Sequence, residues 1–285
     1  MKMIHMECPG YPDATVEGYI LDCELTLGQE TNRPAIVICP GGGYIYCSPR
    51  EAEPVALAYA SRGYHAFILR YSTGRNCAGF APLKQVSWLI GYIRENADAW
   101  HIDPDKILTC GFSAGGHLAL WAGVAAENKP NGMILSYPAT SAEGFMAQLL
   151  TGKETVSQEE RDSLTLVPQI CEDTSPMFMV ATAEDGLTPY GALAIANRCN
   201  QLKKHYELHI FQHGPHGYST ANEVAADGSS QVLNSAYASW VDLSVAWMKK
   251  VYGQPQFVNK STSKIGKYLK ELGIQMPGQK GADFA

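Results

Sequence analysis

The most informative stretch of the chain is KILTCGFSAGGHLALWAGVAA, residues 106–126. It opens with an apolar run typical of a buried β-strand and closes with an apolar helical pattern, and Gly111-Phe112-Ser113-Ala114-Gly115 lies between the two. This G-x-S-x-G pattern predicts a sharp strand-to-helix turn that exposes the hydroxyl of Ser113, because only small residues fit where strand and helix pack closely. A plain glycine-rich turn is the alternative, and the flanking strand and helix favour the nucleophile turn.

Strands and helices alternate along the rest of the chain as well. Apolar runs predict strands at 35–39, 65–71, 133–137, 177–183 and 208–211, and helical patterns predict helices at 51–62, 82–100, 191–203 and 236–251. Strands that are apolar on both faces and alternate with helices predict an α/β fold, with a mostly parallel central sheet and helices on both of its faces. Near the N-terminus, Cys23, Leu25 and Leu27 alternate with polar residues, which predicts antiparallel edge strands.

Composition and charge narrow the classes of function. The 285 residues include 46% hydrophobic and 18% charged residues, a balance that argues against intrinsic disorder and coiled coils. The net charge of −6, with no basic run, argues against sequence-independent nucleic-acid binding, which depends on neutralising phosphates. No apolar run approaches the roughly 18–20 residues that span a bilayer, so we expect no membrane partner.

The cysteines and the N-terminus bear on the cellular compartment. Eight cysteines are scattered without a C-x-x-C pair, and Cys39 and Cys110 lie in strand-like runs, where cysteine acts as a small buried hydrophobe. The N-terminal segment MKMIHMECPGYPDA contains no apolar stretch of the kind found in signal peptides. We therefore expect a reduced, cytoplasmic protein without structural zinc.

The whole chain, residues 1–285, is expected to form a single domain. Two segments depart from the regular alternation. Residues 141–175 are polar and too long for a tight connection, which predicts a cap-like insertion with short helices over one end of the sheet. Residues 253–285 form a C-terminal tail in which helical spacing predicts a short helix near 263–272 with a covered apolar face. The apolar residues of that helix are Ile265, Leu269 and Leu272.

An exposed serine needs a base to take its proton. Of the eight histidines, His216 has the most suitable setting, because the sequence HGPHG at 213–217 predicts a loop just after the strand at 208–211. His213, closer to the strand, is the rival for this role. His205, His209 and His213 recur at every fourth position, but they would lie far apart in a strand. No Cys or carboxylate completes a tetrahedral set with them, so we expect no metal site.

The base in turn needs a carboxylate that fixes its tautomer and stabilises its charged form. Asp185 ends the strand before the histidine loop and is the candidate, with its neighbour Glu184 as the fallback. Either acid could instead cap a helix or close a turn. The resulting chain order, Ser113, Asp185, His216, is the order of the α/β-hydrolases and differs from that of chymotrypsin-like and subtilisin-like proteases.

A glycine-rich loop supplies the fourth element of the candidate site. Pro40-Gly41-Gly42-Gly43-Tyr44 follows the strand at 35–39, and glycines let backbone N–H groups approach a ligand without hindrance from side chains. We expect the N–H groups of Gly42 and Gly43, together with that of Ala114, to stabilise an oxyanion. No G-K-[S/T] follows the loop and no G-x-G-x-x-G occurs in it, so the usual phosphate- and dinucleotide-binding motifs are excluded.

Six segments together resemble a known family. PGGGY, LRYS, HIDPDKI, GFSAGGHLA, ATAEDGLTP and HGPHGYS, in this order, are similar to the α/β-hydrolase fold. More narrowly, they resemble bacterial acetyl esterase/lipase proteins, the group of xylanase-associated carbohydrate esterases. The resemblance covers residues 15–250. It implies a carboxylic ester hydrolase with nucleophile Ser113, base His216 and acid Asp185, and with no cofactor.

Two positions depart from the family pattern. Pro40 stands where the related hormone-sensitive-lipase group has a histidine before the glycines, and Gln85 stands where the family commonly has an aspartate. Neither residue belongs to the expected catalytic set. The sequence therefore does not assign the chain to one subgroup of the family, and the expected reaction is unchanged.

The expected substrate is a small ester with a short acyl group, such as an acetylated sugar or xylo-oligosaccharide. The polar stretch KETVSQEERDS, residues 153–163, is expected near the site and differs from the long apolar lid suited to triglycerides. Tyrosines in or beside the motif loops could stack on a sugar, or could only pack the loop bases. They are Tyr44, Tyr46, Tyr190 and Tyr218.

Two other functions stay open at this point. One is an amidase or peptidase on the same fold, although prolyl-oligopeptidase relatives usually carry an N-terminal propeller, which the 34 or so residues before the strand at 35–39 cannot form. The other is a catalytically silent binding protein on the hydrolase scaffold. The sequence also leaves a homo-oligomer open.

Overall fold

The structure is a computed structural model that describes residues 1–23, 29–188, 190–228, 230–254, 257–259 and 264–274. Its strands are β1 (Lys2–Cys8), β2 (Tyr11–Ile20), β3 (Gln29–Thr31), β4 (Arg33–Cys39), β5 (His65–Arg70), β6 (Ile102–Phe112), β7 (Gly132–Ser136), β8 (Met177–Thr182), β9 (Tyr206–Phe211) and β10 (Phe257–Asn259). Eight of the strands in these ranges form one sheet in the order β1-β2-β5-β4-β6-β7-β8-β9, while β3 pairs with β10.

The large sheet is parallel from β5 to β9 and antiparallel at its N-terminal edge. β4 pairs parallel with β5 on one side and with β6 on the other, which places Ile38 beside both Ile68 and Cys110. β1 pairs antiparallel with β2, and β2 pairs antiparallel with β5. The predicted α/β-hydrolase architecture is confirmed. Its antiparallel edge lies at residues 2–20, whereas Leu25 and Leu27, which suggested it, lie outside the described residues.

The centre of the sheet forms from continuous apolar runs because helices cover both of its faces. Every residue of β7 and β8 is buried. Full burial of one Leu, Ile or Met side chain contributes about 1.5–3 kcal/mol, so these strands are strongly stabilised. They provide a firm base for the loops at their carboxyl ends.

The helices are α1 (Glu53–Ala60), α2 (Ala81–Glu95), α3 (Ala97–Trp100), α4 (Ala114–Ala125), α5 (Phe145–Thr151), α6 (Gln158–Ser163), α7 (Gly191–Gln201), α8 (Ser235–Ala238), α9 (Trp240–Tyr252) and α10 (Lys264–Glu271). Successive residues of β4 lie in two different cores. Val37 belongs to the core that includes residues of α2, α4 and α7, and Ile38 belongs to the core that includes residues of α1 and α9. Side chains alternate between the two faces of a strand, so the helices lie on opposite faces of the sheet.

Two helices that the sequence predicts as continuous are each divided into two helices in the structure. The pattern at 82–100 forms α2 and α3, with a break at Asn96, whose side-chain amide donates to the carbonyl of Tyr92 at 2.8 Å. Such local side-chain bonds compete with the backbone bonds of a helix. The pattern at 236–251 likewise divides into α8 and α9.

The insertion at 141–175 contains short helices, as its composition predicts. α5 and α6 are followed by a 3-10 helix at Val167–Gln169. α6 begins with a capping box, in which Ser157 and Glu160 exchange side-chain and backbone hydrogen bonds. Leu164 is buried in the core shared with α2 and α4, so the insertion packs against that face of the sheet.

The tail contains α10 at the place where a short helix is predicted. Leu272, predicted to be covered, is 69% exposed. The side chain of Ile265 and residues 275–285 lie outside the part that the structure describes.

Among the described residues, we find no helix with the length and apolar composition that a membrane crossing requires.

Candidate active site

The candidate site lies where the parallel strands end at their carboxyl side, next to β4 and β6. In the sheet, β4 lies between β5 and β6. The chain continues from β4 to β5 on one side, while β6 pairs with β4 on the other side. Loops that leave neighbouring strands in opposite directions open a crevice between them. The loop after β4 contains the glycines and the turn after β6 contains Ser113, while the segments after β8 and β9 contain Asp185 and His216.

Ser113 occupies the turn between β6 and α4. Its backbone lies in the left-handed region, at φ 53° and ψ −118°, which residues other than glycine adopt only at a cost. A Cβ atom on Gly115 would overlap the carbonyl oxygens of Cys39 and Pro40, so only glycine fits there. The G-x-S-x-G pattern thus forms the strand, turn and helix that its spacing predicts.

His216 joins Ser113 to Asp185 through its two ring nitrogens. Nε2 of His216 lies 2.7 Å from Oγ of Ser113, and Nδ1 lies 2.8 Å from Oδ2 of Asp185. With its proton on Nδ1, the neutral ring donates to Asp185 and accepts the hydroxyl hydrogen of Ser113 at Nε2. The arrangement can therefore remove a proton from the serine as the hydroxyl oxygen forms a new bond.

The side chain of Asp185 is buried and held by four donors. Oδ1 accepts the N–H groups of Leu187 at 2.8 Å and Thr188 at 3.0 Å, and the hydroxyl of Thr188 lies 3.0 Å from Oδ2. Burial raises the pKa of Asp185, but the hydrogen bonds from His216, Thr188 and Leu187 outweigh it and leave the pKa at about 2. Asp185 is therefore ionised at neutral pH, as a partner of a charged imidazole has to be.

The rival residues form a pair of their own away from the serine. Nδ1 of His213 lies 2.8 Å from Oε1 of Glu184, and the N–H of Gly214 donates to Oε2 of Glu184 at 3.1 Å. Both side chains are exposed. The structure thus brings His216 and Asp185 to Ser113, and it leaves His213 and Glu184 at the surface.

Three backbone N–H groups near Ser113 are free to donate. Among the described residues, the N–H groups of Gly42, Gly43 and Ala114 have no protein acceptor. Gly42 and Gly43 have left-handed φ values of 127° and 63°, and a Cβ atom on Gly42 would overlap the carbonyl of Tyr46. Glycine is therefore required at position 42, where the loop turns next to the serine.

Ser113 and His216 open into a cavity of about 790 Å³. Its lining includes the three residues with free N–H groups and a mixture of apolar and polar side chains. The larger apolar ones are Ile45, Tyr46, Phe145, Met146, Leu187 and Tyr190, and the polar ones include Arg50, Glu51, Thr140, Ser141 and Glu143. Most of the apolar residues in that set are exposed, so the mouth of the cavity has an apolar rim.

The tyrosines predicted to meet the substrate divide into two groups. Tyr46 and Tyr190 line the cavity and are exposed. The prediction is wrong for Tyr44 and Tyr218, because both are buried and neither lines the cavity. The hydroxyl of Tyr44 lies 2.8 Å from Nδ1 of His117, and the ring of Tyr218 stacks on Tyr237 at 5.1 Å.

The polar stretch at 153–163 also differs from expectation, because none of its residues lines the cavity. The insertion contributes instead through its first residues, Ser141 to Met146, which include the apolar Phe145. Phe145 approaches to 3.6 Å from the position that a Cβ atom on Gly43 would take. The insertion thus borders the glycine loop with an aromatic ring.

Sequence reasoning missed two buried residues beside the site. Glu51 accepts the N–H of Gly41 at 2.7 Å, and it also accepts the hydroxyl hydrogen of Tyr137 at 2.7 Å. In the sequence, Glu51 stands in PREAEP and has the pattern of an exposed acid at the start of a helix. Tyr137 follows a strand and gave no signal of its own.

Two of the repeated histidines each contact a single acid. In the part of the chain that the structure describes, no three His, Cys, Asp or Glu residues form a cluster that could hold an ion. His209 pairs with Glu207 at 3.0 Å, and His213 pairs with Glu184.

The chain is similar to known families and to solved structures. The BD-FAE family matches residues 21–143, and the prolyl oligopeptidase family matches residues 84–234. The crystal structure of MGS-M1, an α/β hydrolase enzyme from a Medee basin deep-sea metagenome library, superposes with a TM-score of 0.75 at 32% identity. The match covers 89% of this chain and 99% of that one.

Curated relatives include larger proteins. Endo-1,4-β-xylanase B of Butyrivibrio fibrisolvens is 30% identical over 224 residues, which is 71% of this chain and 35% of that protein. The acetylxylan esterase of Xylanibacter ruminicola is 28% identical over 212 residues, or 67% of this chain and 42% of that protein. The chain thus spans less than half the length of these two relatives. Its sheet, its serine turn and its match to a full-length relative show that the chain belongs to the α/β-hydrolase family, alongside the esterases of that family.

Proposed function

We propose that the chain is a serine ester hydrolase. The observation that carries the proposal is the hydrogen-bonded series Ser113–His216–Asp185, which opens into a cavity beside three free backbone N–H groups. A nucleophile, its base, the partner of the base and donors for an oxyanion are the groups that acyl transfer requires.

In the proposed reaction, Oγ of Ser113 attacks the ester carbonyl carbon while its proton passes to Nε2 of His216. The negative charge on the carbonyl oxygen is stabilised by the N–H groups of Gly42, Gly43 and Ala114, and Asp185 stabilises the charged imidazole. The tetrahedral intermediate then collapses, and His216 returns the proton to the departing alcohol.

The acyl-enzyme is hydrolysed by the same groups in a second half-reaction. Water attacks the acyl carbon as His216 takes one of its protons, and that proton returns to Oγ of Ser113 when the carboxylic acid leaves. No cofactor is needed in either half, because the nucleophile and its base supply the chemistry.

The proposed substrate is a small ester with a short acyl group, such as the acetyl group of an acetylated sugar. Tyr46 and Tyr190 support a sugar, since their exposed rings at the cavity can stack on it and form hydrogen bonds. The acetylxylan esterase and xylanase among the relatives support the same class. Each extra methylene gains only about 0.8 kcal/mol in an apolar pocket, so a preference for acetyl needs a wall that excludes longer chains. Phe145, next to Gly43, is the candidate for that wall.

A second candidate function is peptide or amide hydrolysis. The match to the prolyl oligopeptidase family over residues 84–234, which includes all three residues of the series, favours it. The same serine mechanism cleaves amides when the leaving nitrogen receives the proton from His216.

The decisive experiment compares kcat/KM for acetyl, butyryl and octanoyl esters of one alcohol, then measures acetate release from acetylated xylo-oligosaccharides and cleavage of prolyl amides. We expect the acetyl ester to be the best of the three, with acetate released from the sugar. A clear preference for octanoyl would contradict the short-acyl proposal. Rapid amide cleavage without acetate release would favour the peptidase.

Ser113→Ala is the matched control for each substrate. We expect it to lower kcat by at least about 1,000-fold, since a member of such a series supports several orders of magnitude in rate. A fluorophosphonate probe should label the wild type at Ser113 and leave the variant unlabelled, while circular dichroism shows both folded. A variant that kept a few per cent of the activity would mean that another nucleophile is used.

A further inference from the structure

Glu51 is a buried acid that the proposed reaction does not use. It ends the 3-10 helix at Pro49–Glu51, which begins five residues after Tyr44 of the glycine loop, and is 3% exposed. Among the described residues it forms no ion pair, and the guanidinium of its neighbour Arg50 donates to the carbonyl of Gly217 at 2.8 Å instead. A buried carboxylate without a cation costs several kcal/mol. A contribution to the free energy of unfolding therefore does not explain why position 51 is an acid.

One oxygen of Glu51 holds the glycine loop. Oε2 accepts the N–H of Gly41, the residue directly before Gly42 and Gly43. A Cβ atom on Gly41 would lie 2.7 Å from Oε2 and 3.0 Å from the Cβ atom of Ser113. The carboxylate thus lies against the point where the glycine loop approaches the serine turn, and it fixes the peptide that leads into the free N–H groups.

The other oxygen of Glu51 reaches the histidine side of the site through Tyr137. The hydroxyl of Tyr137 donates to Oε1 and accepts the N–H of Ser219, three residues beyond His216, at 2.9 Å. The ring of Tyr137 packs edge-on against the ring of His216 with centroids 4.9 Å apart. Its carbonyl oxygen lies 3.0 Å from the hydroxyl of Thr188, which also contacts Asp185.

Both oxygens of Glu51 act as acceptors, which is the pattern of an ionised carboxylate. Burial raises the pKa of Glu51, and the hydrogen bonds from Tyr137 and Gly41 bring it part of the way back. The charged groups that face it are Arg50 and, when protonated, His216, and both favour the ionised form.

We infer that Glu51 is a positioning residue that holds the glycine loop and His216 in place relative to Ser113. Through Gly41 it sets where the free N–H groups lie, and through Tyr137 it supports the ring of the base. The inference rests on the proposed ester hydrolysis, since it assigns the glycine loop to the oxyanion.

The test is a graded series at position 51 with an acetyl ester as substrate. Glu51→Met keeps the size and removes both acceptors, while Glu51→Gln keeps one acceptor oxygen. We expect kcat to fall about 100-fold or more for Glu51→Met and about 10-fold for Glu51→Gln, since one misplaced oxyanion donor costs about 100- to 1,000-fold. KM should change less than about threefold, because Glu51 is only 3% exposed and the other residues that line the cavity remain. Tyr137→Phe, which removes only the second contact, should lose less than Glu51→Met.

The matched control is Glu53→Met, two residues further along and exposed, which should keep kcat within about twofold. Melting temperature and the Ki of an alkyl boronic acid complete the experiment. A boronate adduct on Ser113 places an oxygen among the free N–H groups, so its Ki should rise in parallel with the fall in kcat. Inhibition by the product alcohol should not change.

Two results would overturn the inference. One is a Glu51→Met variant, or a Glu51→Gln variant if the first does not fold, whose kcat stays within threefold of the wild type. The other is a loss of kcat matched by equal losses of boronate affinity, alcohol affinity and melting temperature, which is the signature of general unfolding. A few per cent of the activity kept in Ser113→Ala would instead contradict the proposed function, so the two failures are distinguishable.

Discussion

Two histidine–acid pairs lie side by side in this molecule, and only one reaches the serine. His216 with Asp185 and His213 with Glu184 come from the same two loops, and both pairs have an Nδ1–O distance of 2.8 Å. Their surroundings differ. Asp185 is 1% exposed and His216 18% exposed, whereas Glu184 is 54% and His213 68% exposed.

The comparison teaches that a short contact between a histidine and an acid does not by itself bring the pair to the serine. Between the two histidines, Gly214 and Pro215 turn the chain, and Gly214 has a left-handed φ of 148°. The turn directs His216 toward Ser113 and leaves His213 facing solvent, where water and salt screen the charges of an ion pair. Burial keeps the electrostatic attraction between Asp185 and the imidazole of His216 strong. The turn places that imidazole next to Ser113.

Replacing each histidine in turn should show the largest difference between the two histidine–acid pairs. We expect His216→Ala to lower kcat/KM for an acetyl ester by about 10,000-fold, since the serine loses its base. His213→Ala should stay within about threefold, because its ring is not at the serine. Equal losses, or a larger loss for His213→Ala, would reverse the assignment of the base.

Replacing the acids gives the next largest contrast. Asp185→Asn keeps the shape of the side chain but favours the wrong tautomer of His216, so we expect kcat to fall by about 1,000-fold or more. Glu184→Gln should change kcat by less than about threefold. Steady-state kinetics on the same ester measure both, and a similar effect for the two variants would show that the burial of Asp185 does not matter.

Unfolding at acid pH measures how much each of the two acids contributes to the free energy of unfolding. The folded-state pKa of Asp185, about 2, lies below the ordinary value of 3.8, so the unfolded chain takes up the proton first as the pH falls. The contribution is complete above about pH 4 and is lost as the pH falls through about 2; its size is about 2 kcal/mol. Urea unfolding at pH 2–6 should show the free-energy gap between wild type and Asp185→Asn shrinking by that amount. A gap that is constant with pH would contradict the low pKa.

The same titration of Glu184→Gln should show a much smaller change. Hydrogen bonds from His213 and Gly214 lower the pKa of Glu184, but the side chain is exposed and solvent screens its interactions. A change as large as that of Asp185 would mean that the surface pair is the stronger one.

Much of the site could be predicted because its chemistry is local in sequence. The turn at Ser113 follows from small residues between a strand and a helix, and His216 follows from glycine and proline around it in a loop. The strands were predictable for a similar reason, since β7 and β8 are apolar on both faces. The helix breaks at Asn96 and Ser239 each occupy a single residue, and the apolar periodicity on either side does not reveal them.

The direction of a loop side chain was not predictable. Tyr44 and Tyr46 lie two residues apart in one loop, yet Tyr44 points into the core and Tyr46 lines the cavity. The difference follows from the backbone, since Tyr44 has a left-handed φ of 60° directly after two left-handed glycines. Glu51 was missed for a related reason, because its partners Gly41 and Tyr137 are ten and 86 residues away and the pattern around it is that of a surface helix.

The left-handed backbone at Ser113 has a cost in stability that the proposed reaction requires the chain to keep. Such a conformation costs on the order of 1–3 kcal/mol in a residue with a side chain, and glycine relieves it while alanine does not. Ser113→Gly is thus expected to have a higher melting temperature than Ser113→Ala, but it would also remove the proposed nucleophile. Screens that select for heat resistance alone would favour such inactive variants, so directed evolution of this chain should select for turnover after heating.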